Sequence, residues 1–250
     1  MNTDTRQRAL DPQVLHDLVA ANRILANEGV VDAYGHVSIR HPRNPDRYLI
    51  ARSISPALVT AGDIMEYGLD GKPVDAASPT PYLERHIHGA IYEKRPDVQA
   101  VVHSHAVPVL PFTLTDVPLQ AVIHVASDMG AVIPRWDIRD SFGDTNLLVV
   151  DMDQGRDLAE TLGSNKVVLM RGHGFTATGR SLIEVVKISV YLPVNAQVQL
   201  EASRLGPMRP LSPGEIEIRS QVAPDAPQMR RAWDYWCRRA GISPEVSAGD

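Results

Sequence analysis

Residues 100–109 read "AVVHSHAVPV", an apolar run that ends in two histidines one residue apart. The approach "VQAVVH" (98–103) is apolar and β-branched, which predicts a central strand. In an extended chain residues i and i+2 project to the same face, so His103 and His105 present both imidazoles to one point at the end of that strand. Such a pair can chelate a metal, although His-x-His also occurs on solvated strand faces.

Working outward, Thr80-Pro81 predicts the start of a helix that continues to about Arg95, with Leu83, Ile87, Ala90 and Ile91 as its buried face. Glu84 and His88, four apart, share a different face. Further upstream, Asp11 and Pro12 open an amphipathic helix that Gly29 stops. It is followed by the β-like runs "HVSIR" (36–40), "RYLIA" (47–51) and "DIMEYGLDGKPVD" (63–75), the last with a turn at Asp70-Gly71 between two strands. Downstream, "SNKVVLMRGHGFTATG" (164–179) reads as a strand, a glycine-flanked turn and another strand. A long helix from Ser181 to about Arg204 is expected to bend or split at Pro193. Ser212, Pro213 and Glu215 form a capping box for a further helix, and a last one runs from about Asp225 to Ala240. Strands concentrate in the middle and helices flank them, without the regular alternation of a doubly wound sheet. The fold class is therefore α/β, a sandwich around a mixed or mainly antiparallel sheet.

The 250 residues, 44% hydrophobic and 22% charged, are enough for one large core, and no linker, repeat or low-complexity tract divides them. One domain over residues 1–250 is expected, with the helices of 212–240 packing on it or on a neighbouring subunit. A formal charge of −5 and the absence of a Lys/Arg-rich run argue against nucleic acid and anionic membrane as partners. "MNTDTRQRALDPQ" has no apolar core of a signal peptide and no stretch reaches bilayer length, so a cytoplasmic protein acting on a small molecule is expected. Cys237 is the single cysteine, which excludes an internal disulfide, and its helical spacing from Trp233 and Trp236 marks it as a packing residue.

A third histidine, His173, is bracketed by glycines in "RGHGF". Glycine lets the backbone turn sharply and bring one imidazole to a crowded centre, though an ordinary turn histidine would look the same. Three neutral imidazoles and an open position compose a catalytic divalent site, whereas a structural site is closed by four ligands, usually including cysteine. Glu84 would supply the acid or base. Its helix leads directly into the strand ending at His103, and consecutive elements tend to pack together; its plainer reading is a surface carboxylate paired with Arg85 or His88. His16, His41, His86, His88 and His124 read as surface or structural.

From Tyr34 to Glu201, about two thirds of the chain, the sequence resembles the class II aldolase and adducin family. The resemblance is carried by "YGHVSIR", "YLIARS", Glu84 with His88, "RPDVQAVVHSHA" and "RGHGFTATGRSLIEV" in the family's order. It implies a three-layer α/β/α sandwich with a mixed, largely antiparallel central sheet, and a homotetramer with active sites at subunit interfaces. It also implies His103, His105 and His173 as ligands of a divalent metal ion, with Glu84 as the proton-transfer residue. Three imidazoles suit zinc, and a site that also takes substrate oxygens suits manganese, cobalt or iron equally. Burial is expected to raise the Glu84 pKa enough to keep the group partly protonated near neutrality.

The sugar-phosphate aldolases of that family bind phosphate through a Gly-Asn pair, a Pro-Ser-Gly turn and two serines just before the glutamate. Here those positions read Gly35-His36, Arg52-Ser53-Ile54 and Tyr82-Leu83. A buried phosphate oxygen left unpaired costs about 1–3 kcal/mol, and Tyr82 and Leu83 replace the small donors. Arg52 offers a fork suited to a carboxylate, or a surface ion pair; Tyr82 offers a flat face to an aromatic ring; His36 reaches a substrate oxygen or fills space. Ser53 joins this substrate-binding set, and Tyr191, with Trp233 and Tyr235, is a candidate to reach a neighbouring subunit's site. This altered set resembles the family's decarboxylase branch. The activity it implies is metal-dependent, non-oxidative decarboxylation of a hydroxylated aromatic or heteroaromatic dicarboxylate in aromatic catabolism. The alternatives are an aldolase acting on a non-phosphorylated hydroxy-keto acid and, remotely, a non-catalytic adducin-like scaffold.

Overall fold

The computed structural model describes residues 10–75 and 79–246; the first nine residues of the amino-terminal stretch read above lie outside them. Seven strands form one sheet: β1 (His36–Arg40), β2 (Arg47–Ala51), β3 (Ile64–Gly68), β4 (Ala100–Ser104), β5 (Arg135–Trp136), β6 (Val167–Met170) and β7 (Gly174–Gly179). Their order is β3-β2-β1-β4-β7-β6-β5. Each neighbouring pair is antiparallel except β5 with β6, so the sheet is mixed and largely antiparallel. The helices are α1 (Pro12–Asn27), α2 (Arg85–Lys94), α3 (Leu110–Leu114), α4 (Ile138–Phe142), α5 (Met152–Leu162), α6 (Leu182–Leu205), α7 (Pro213–Ser220) and α8 (Pro227–Arg239).

Every residue of β4 is buried, because this strand lies at the centre of the sheet with helices on both faces. Alternation along the strands divides the core in two. Ala100, Val102 and Leu169 pack with Leu18 and Ile24 of α1, Val186 of α6 and Trp233 of α8. Val101 and Val168 face the other way, toward Ile87 and Ile91 of α2 and Leu158 of α5. The architecture is thus the α/β/α sandwich. Cys237 is fully buried on the α8 side, and burial pushes its thiol up to about 12.

Several local signals act as expected. Asp11 accepts a hydrogen bond from the Gln13 N–H at the start of α1. Ser181 caps α6, and Ser212 with Glu215 closes a reciprocal capping box on α7. Three expectations need correction. The return arm after Asp70-Gly71 is reduced to a single bridge between Tyr67 and Pro73, since proline has no N–H to extend a ladder. α6 runs unbroken through Pro193 over 24 residues. Its second half is clamped by Asn195 and Gln199, whose amides bond the backbone of residues 118–123, and this anchoring holds the helix together where a ladder bond is missing.

The third correction concerns the surroundings of Glu84. α2 begins at Arg85, not at Thr80-Pro81. Ser53 N–H bonds Thr80 O, the Tyr82 hydroxyl bonds Ile54 O, and the Arg85 guanidinium bonds Gly71 O and Tyr82 O, so residues 80–84 are drawn alongside 52–54. Leu83 is consequently 61% exposed rather than part of a buried face. Glu84 becomes the N-cap residue, at the helix end whose dipole favours a negative charge. The stretch 106–163, to which the sequence reading assigns no elements, holds α3, α4, β5 and α5, the last with Asp151 as N-cap and Gly163 (φ +55°) as C-cap.

Candidate active site

His103 is the penultimate residue of the central strand and His105 lies just beyond its end, so sheet geometry directs both rings to the same end of β4. His173 arrives in the tight turn between β6 and β7. Gly172 adopts φ +64°, and Gly174 lies so close to the end of β4 that a Cβ there would collide with the Ser104 carbonyl oxygen. The two glycines therefore do different work: one bends the turn, the other lets it touch β4.

The result is a compact cluster. His103 Nε2 is 2.9 Å from His105 Nε2, and His173 Nε2 is 3.0 Å from the same atom. Glu84 Oε2 stands 3.5 Å from both His103 Nε2 and His173 Nε2. The ligand atoms of all four residues lie within 4.8 Å of one another. A neutral imidazole carries one N–H, so three ε nitrogens turned on one another cannot satisfy themselves by hydrogen bonding alone. His173 Nδ1 is also buried without a hydrogen-bond partner among the described residues. Ligands held about 2.1 Å from one cation at angles of 90–109° stand about 3.0–3.4 Å apart, close to the 2.9, 3.0 and 3.5 Å separations seen here. The donor set fits a divalent metal ion.

The electrostatics agree. Burial lowers the His105 pKa to about 4, with the neighbouring imidazoles acting in the same direction, and burial lowers that of His103 as well. Both rings thus offer the lone pair a metal needs. For Glu84 the expected upward shift does not occur. Burial acts to raise its pKa, but the imidazoles of His103 and His173 outweigh it and hold the carboxyl well below the usual carboxylate range. Glu84 Oε1 is further fixed by the Val149 N–H at 3.1 Å.

Beside Glu84 and His105 opens a cavity of about 410 Å³, lined also by Tyr34, His36, Ser53, Ile54, Tyr82 and Leu148 among others. His36 and Tyr82 meet with ring centroids 4.8 Å apart and their planes inclined at 46°. Of the sequence-derived substrate set, His36, Ser53 and Tyr82 line this cavity. Arg52 does not: its Nε is 2.6 Å from Asp63 Oδ1, so the guanidinium turns to the surface ion pair that was its plainer reading. Tyr191 lies in a separate cleft with Asp128, Lys187 and Trp236.

A family model described as the Class II Aldolase and Adducin N-terminal domain matches residues 16–200. The chain belongs to the class II aldolase and adducin family. It is 37% identical over 242 residues to the decarboxylase tropJ of Talaromyces stipitatus, covering 88% of this chain and 91% of that one. It is 26% identical over 200 residues to the 3,4-dihydroxyphthalate decarboxylase of Arthrobacter keyseri, covering 76% of this chain and 78% of the relative. The fold matches the crystal structure of an aldolase II superfamily protein from Pseudomonas syringae, with a TM-score of 0.77, 23% identity and coverage of 94% of this chain and 95% of that one. Likeness to named decarboxylases sets this class II aldolase relative among the carbon–carbon lyases of the family. No helix among the described residues is long and apolar enough to cross a membrane.

Two groups at the site of this family member escape a sequence reading. The Val149 N–H that holds Glu84 comes from a backbone group 65 residues away. It is aimed by a loop in which Leu147 takes φ +67°, and the Leu147 and Leu148 N–H groups bond the side chains of Thr145 and Asn146. No residue type announces that role, since any side chain has the same N–H. His88, read as surface or structural, is fully buried behind the cavity wall, 2.7 Å from His36 Nδ1 through its Nε2.

Proposed function

We propose that this protein is a divalent-metal-dependent, non-oxidative decarboxylase of a hydroxylated aromatic or heteroaromatic carboxylate. One observation carries the reading: three imidazoles and the Glu84 carboxylate converge beside a cavity walled by Tyr82, Ile54 and Leu148 and lacking any Lys or Arg among its lining residues. That lining suits a flat ring and disfavours a phosphate dianion, which needs several strong donors. The likeness to named decarboxylases supports it.

His103, His105 and His173 would hold the metal, which when bound supplies Lewis-acid stabilisation of the charge that departing CO2 leaves on a ring oxygen. Glu84 moves the proton. As the carboxylate it takes the proton of the substrate hydroxyl, and it then delivers that proton to the ring carbon from which CO2 has left. The Val149 N–H keeps Glu84 Oε1 engaged and leaves Oε2, beside His103 Nε2 and His173 Nε2, to face the substrate. Tyr82, His36 and Ser53 orient the ring, and Ile54 and Leu148 exclude water from the developing charge. Arg52 has no part in this scheme. The protein is further proposed to act in the cytoplasm, in aromatic catabolism and as a homotetramer, in which the Tyr191 cleft would lie near a neighbouring subunit.

The test is a panel of ortho-hydroxyaryl carboxylates, including hydroxylated phthalates and pyridine dicarboxylates, assayed for CO2 with the metal-loaded protein. CO2 release that stops on chelation is expected. Pyruvate release from hydroxy-keto acids without CO2 from any aromatic acid would replace this reading with aldol cleavage.

A further inference from the structure

Behind the cavity wall four buried polar groups form one chain. His36 Nδ1 is 2.7 Å from His88 Nε2, His88 Nδ1 is 2.6 Å from Ser38 Oγ, and Ser38 Oγ is 2.8 Å from the Tyr92 hydroxyl. All four residues are nearly or wholly buried: His36 is 4% exposed, Tyr92 1%, and Ser38 and His88 0%. The chain starts in the helix layer, passes between α2 and β1, and ends at the ring that lines the cavity.

The direction of the hydrogen bonds follows from counting donors. Among the described residues the Tyr92 hydroxyl meets one acceptor, Ser38 Oγ. If Tyr92 donates to Ser38, then Ser38 donates to His88 Nδ1, His88 Nε2–H donates to His36 Nδ1, and the His36 proton sits on Nε2. Every donor within the chain is then used, and the one remaining N–H belongs to the ring that lines the cavity. In the reverse direction His36 donates to His88, His88 to Ser38 and Ser38 to Tyr92. The phenolic O–H is then left without an acceptor in the core, which costs about 1–3 kcal/mol. The first direction therefore dominates.

We propose that the Tyr92–Ser38–His88 chain locks His36 as the Nε2–H tautomer, making it a fixed hydrogen-bond donor to a carboxylate oxygen of the ligand, the ligand's class resting on the decarboxylase reading. His36 would be the specificity-determining contact, taking the part first assigned to Arg52, and Ser38, His88 and Tyr92 are positioning residues that act through it. An N–H held in place by a buried chain binds an anionic oxygen without the cost of turning a ring or moving a proton between its nitrogens. It also differs from the flexible guanidinium in selecting one oxygen position, beside Tyr82.

The test uses the full-length, metal-loaded protein with histidine rings labelled with nitrogen-15, and long-range proton–nitrogen correlation spectra assigned with His36→Gln. The expected spectrum has His36 protonated at Nε2 and unprotonated at Nδ1, and Tyr92→Phe and Ser38→Ala both move the ring toward a mixture of tautomers. Phthalate, which lacks the ring hydroxyl and cannot react by the proposed route, serves as the carboxylate probe in calorimetry. His36→Ala should weaken its binding by roughly tenfold to hundredfold, and His36→Gln, whose amide returns a donor near the Nε2 position, should recover most of it. Wild-type His36 carrying its proton on Nδ1 would overturn this inference and leave the proposed function standing. Wild-type protein that ignores phthalate would remove the carboxylate from both. If Tyr92→Phe fails to fold, Ser38→Ala and the wild-type spectrum still decide.

Discussion

Replacing Gly174 with alanine should dismantle the histidine cluster without touching any of its side chains. A Cβ at this position would collide with the Ser104 carbonyl oxygen and stand 3.0 Å from both the Ser104 carbonyl carbon and the His105 Cα, where ordinary contact begins at 3.4 Å. Those atoms are backbone, so relief requires the end of β4 and the turn of His173 to part by about 1 Å. The rings of His105 and His173, now 3.0 Å apart at Nε2, ride on the two segments that separate. Overpacking of this kind costs about 1–3 kcal/mol, and for a chain of this size each kcal/mol lowers Tm by about 2–4 °C. Displacing a catalytic constellation by about 1 Å costs about a hundredfold in rate. Gly172→Ala is the matched control. It forces alanine into a left-handed conformation for about 1–2 kcal/mol, but its Cβ meets only Leu114 Cδ2, at 3.7 Å, and leaves β4 in place. Metal titration monitored by calorimetry, with melting curves of both variants, separates the two effects. Gly174→Ala should lose far more metal affinity than Gly172→Ala at similar loss of stability. Equal metal affinity in the two variants would refute the argument that close approach of the turn to β4 builds the site.

Glu84→Gln keeps the shape and the Val149 contact but cannot carry the proton, so kcat should fall about 10²–10⁴-fold while metal affinity stays close to wild type; steady-state kinetics and metal titration check both. Chelation should abolish activity and lower Tm, and re-addition of metal at a hundredfold excess over its Kd should restore about 2.7 kcal/mol, read as a concentration-dependent Tm. Acid should destabilise the metal-free fold. His88 is lowered from 6.5 to about 3 by burial, so between those values the unfolded chain binds the extra proton; stability is full above pH 6.5 and declines as pH falls toward 3. Melting curves at pH 7.5 and 5.5 test this, and His88→Gln should flatten the slope. Cys237, buried and pushed up to about 12, should resist alkylation in the native protein and react only on unfolding, as mass spectrometry would record.

The parts of this protein legible in its sequence are those that local physics dictates. Period and turn chemistry locate β1, β2, β6, β7 and the capped starts of α1, α6 and α7. The two-residue spacing of His103 and His105 and the glycines around His173 name the cluster, because strand geometry and glycine's freedom act within a few residues. Even α5 carries its signals, in Asp151 and Gly163. What the sequence left open depends on partners distant in the chain. The start of α2 is set by Gly71 and by residues 53–54, the continuity of α6 past Pro193 by its grip on residues 118–123, and the orientation of Arg52 by Asp63. Glu84 shows the difference most clearly: its identity is written in the chain, but its charge is not. Burial alone would have raised its pKa, and two imidazoles at 3.5 Å, delivered by segments 19 and 89 residues further on, reverse the direction of the shift. Desolvation can be guessed from one residue's neighbours in sequence, whereas hydrogen bonds and charge interactions with the imidazoles depend on distance in space, and only the fold supplies that distance.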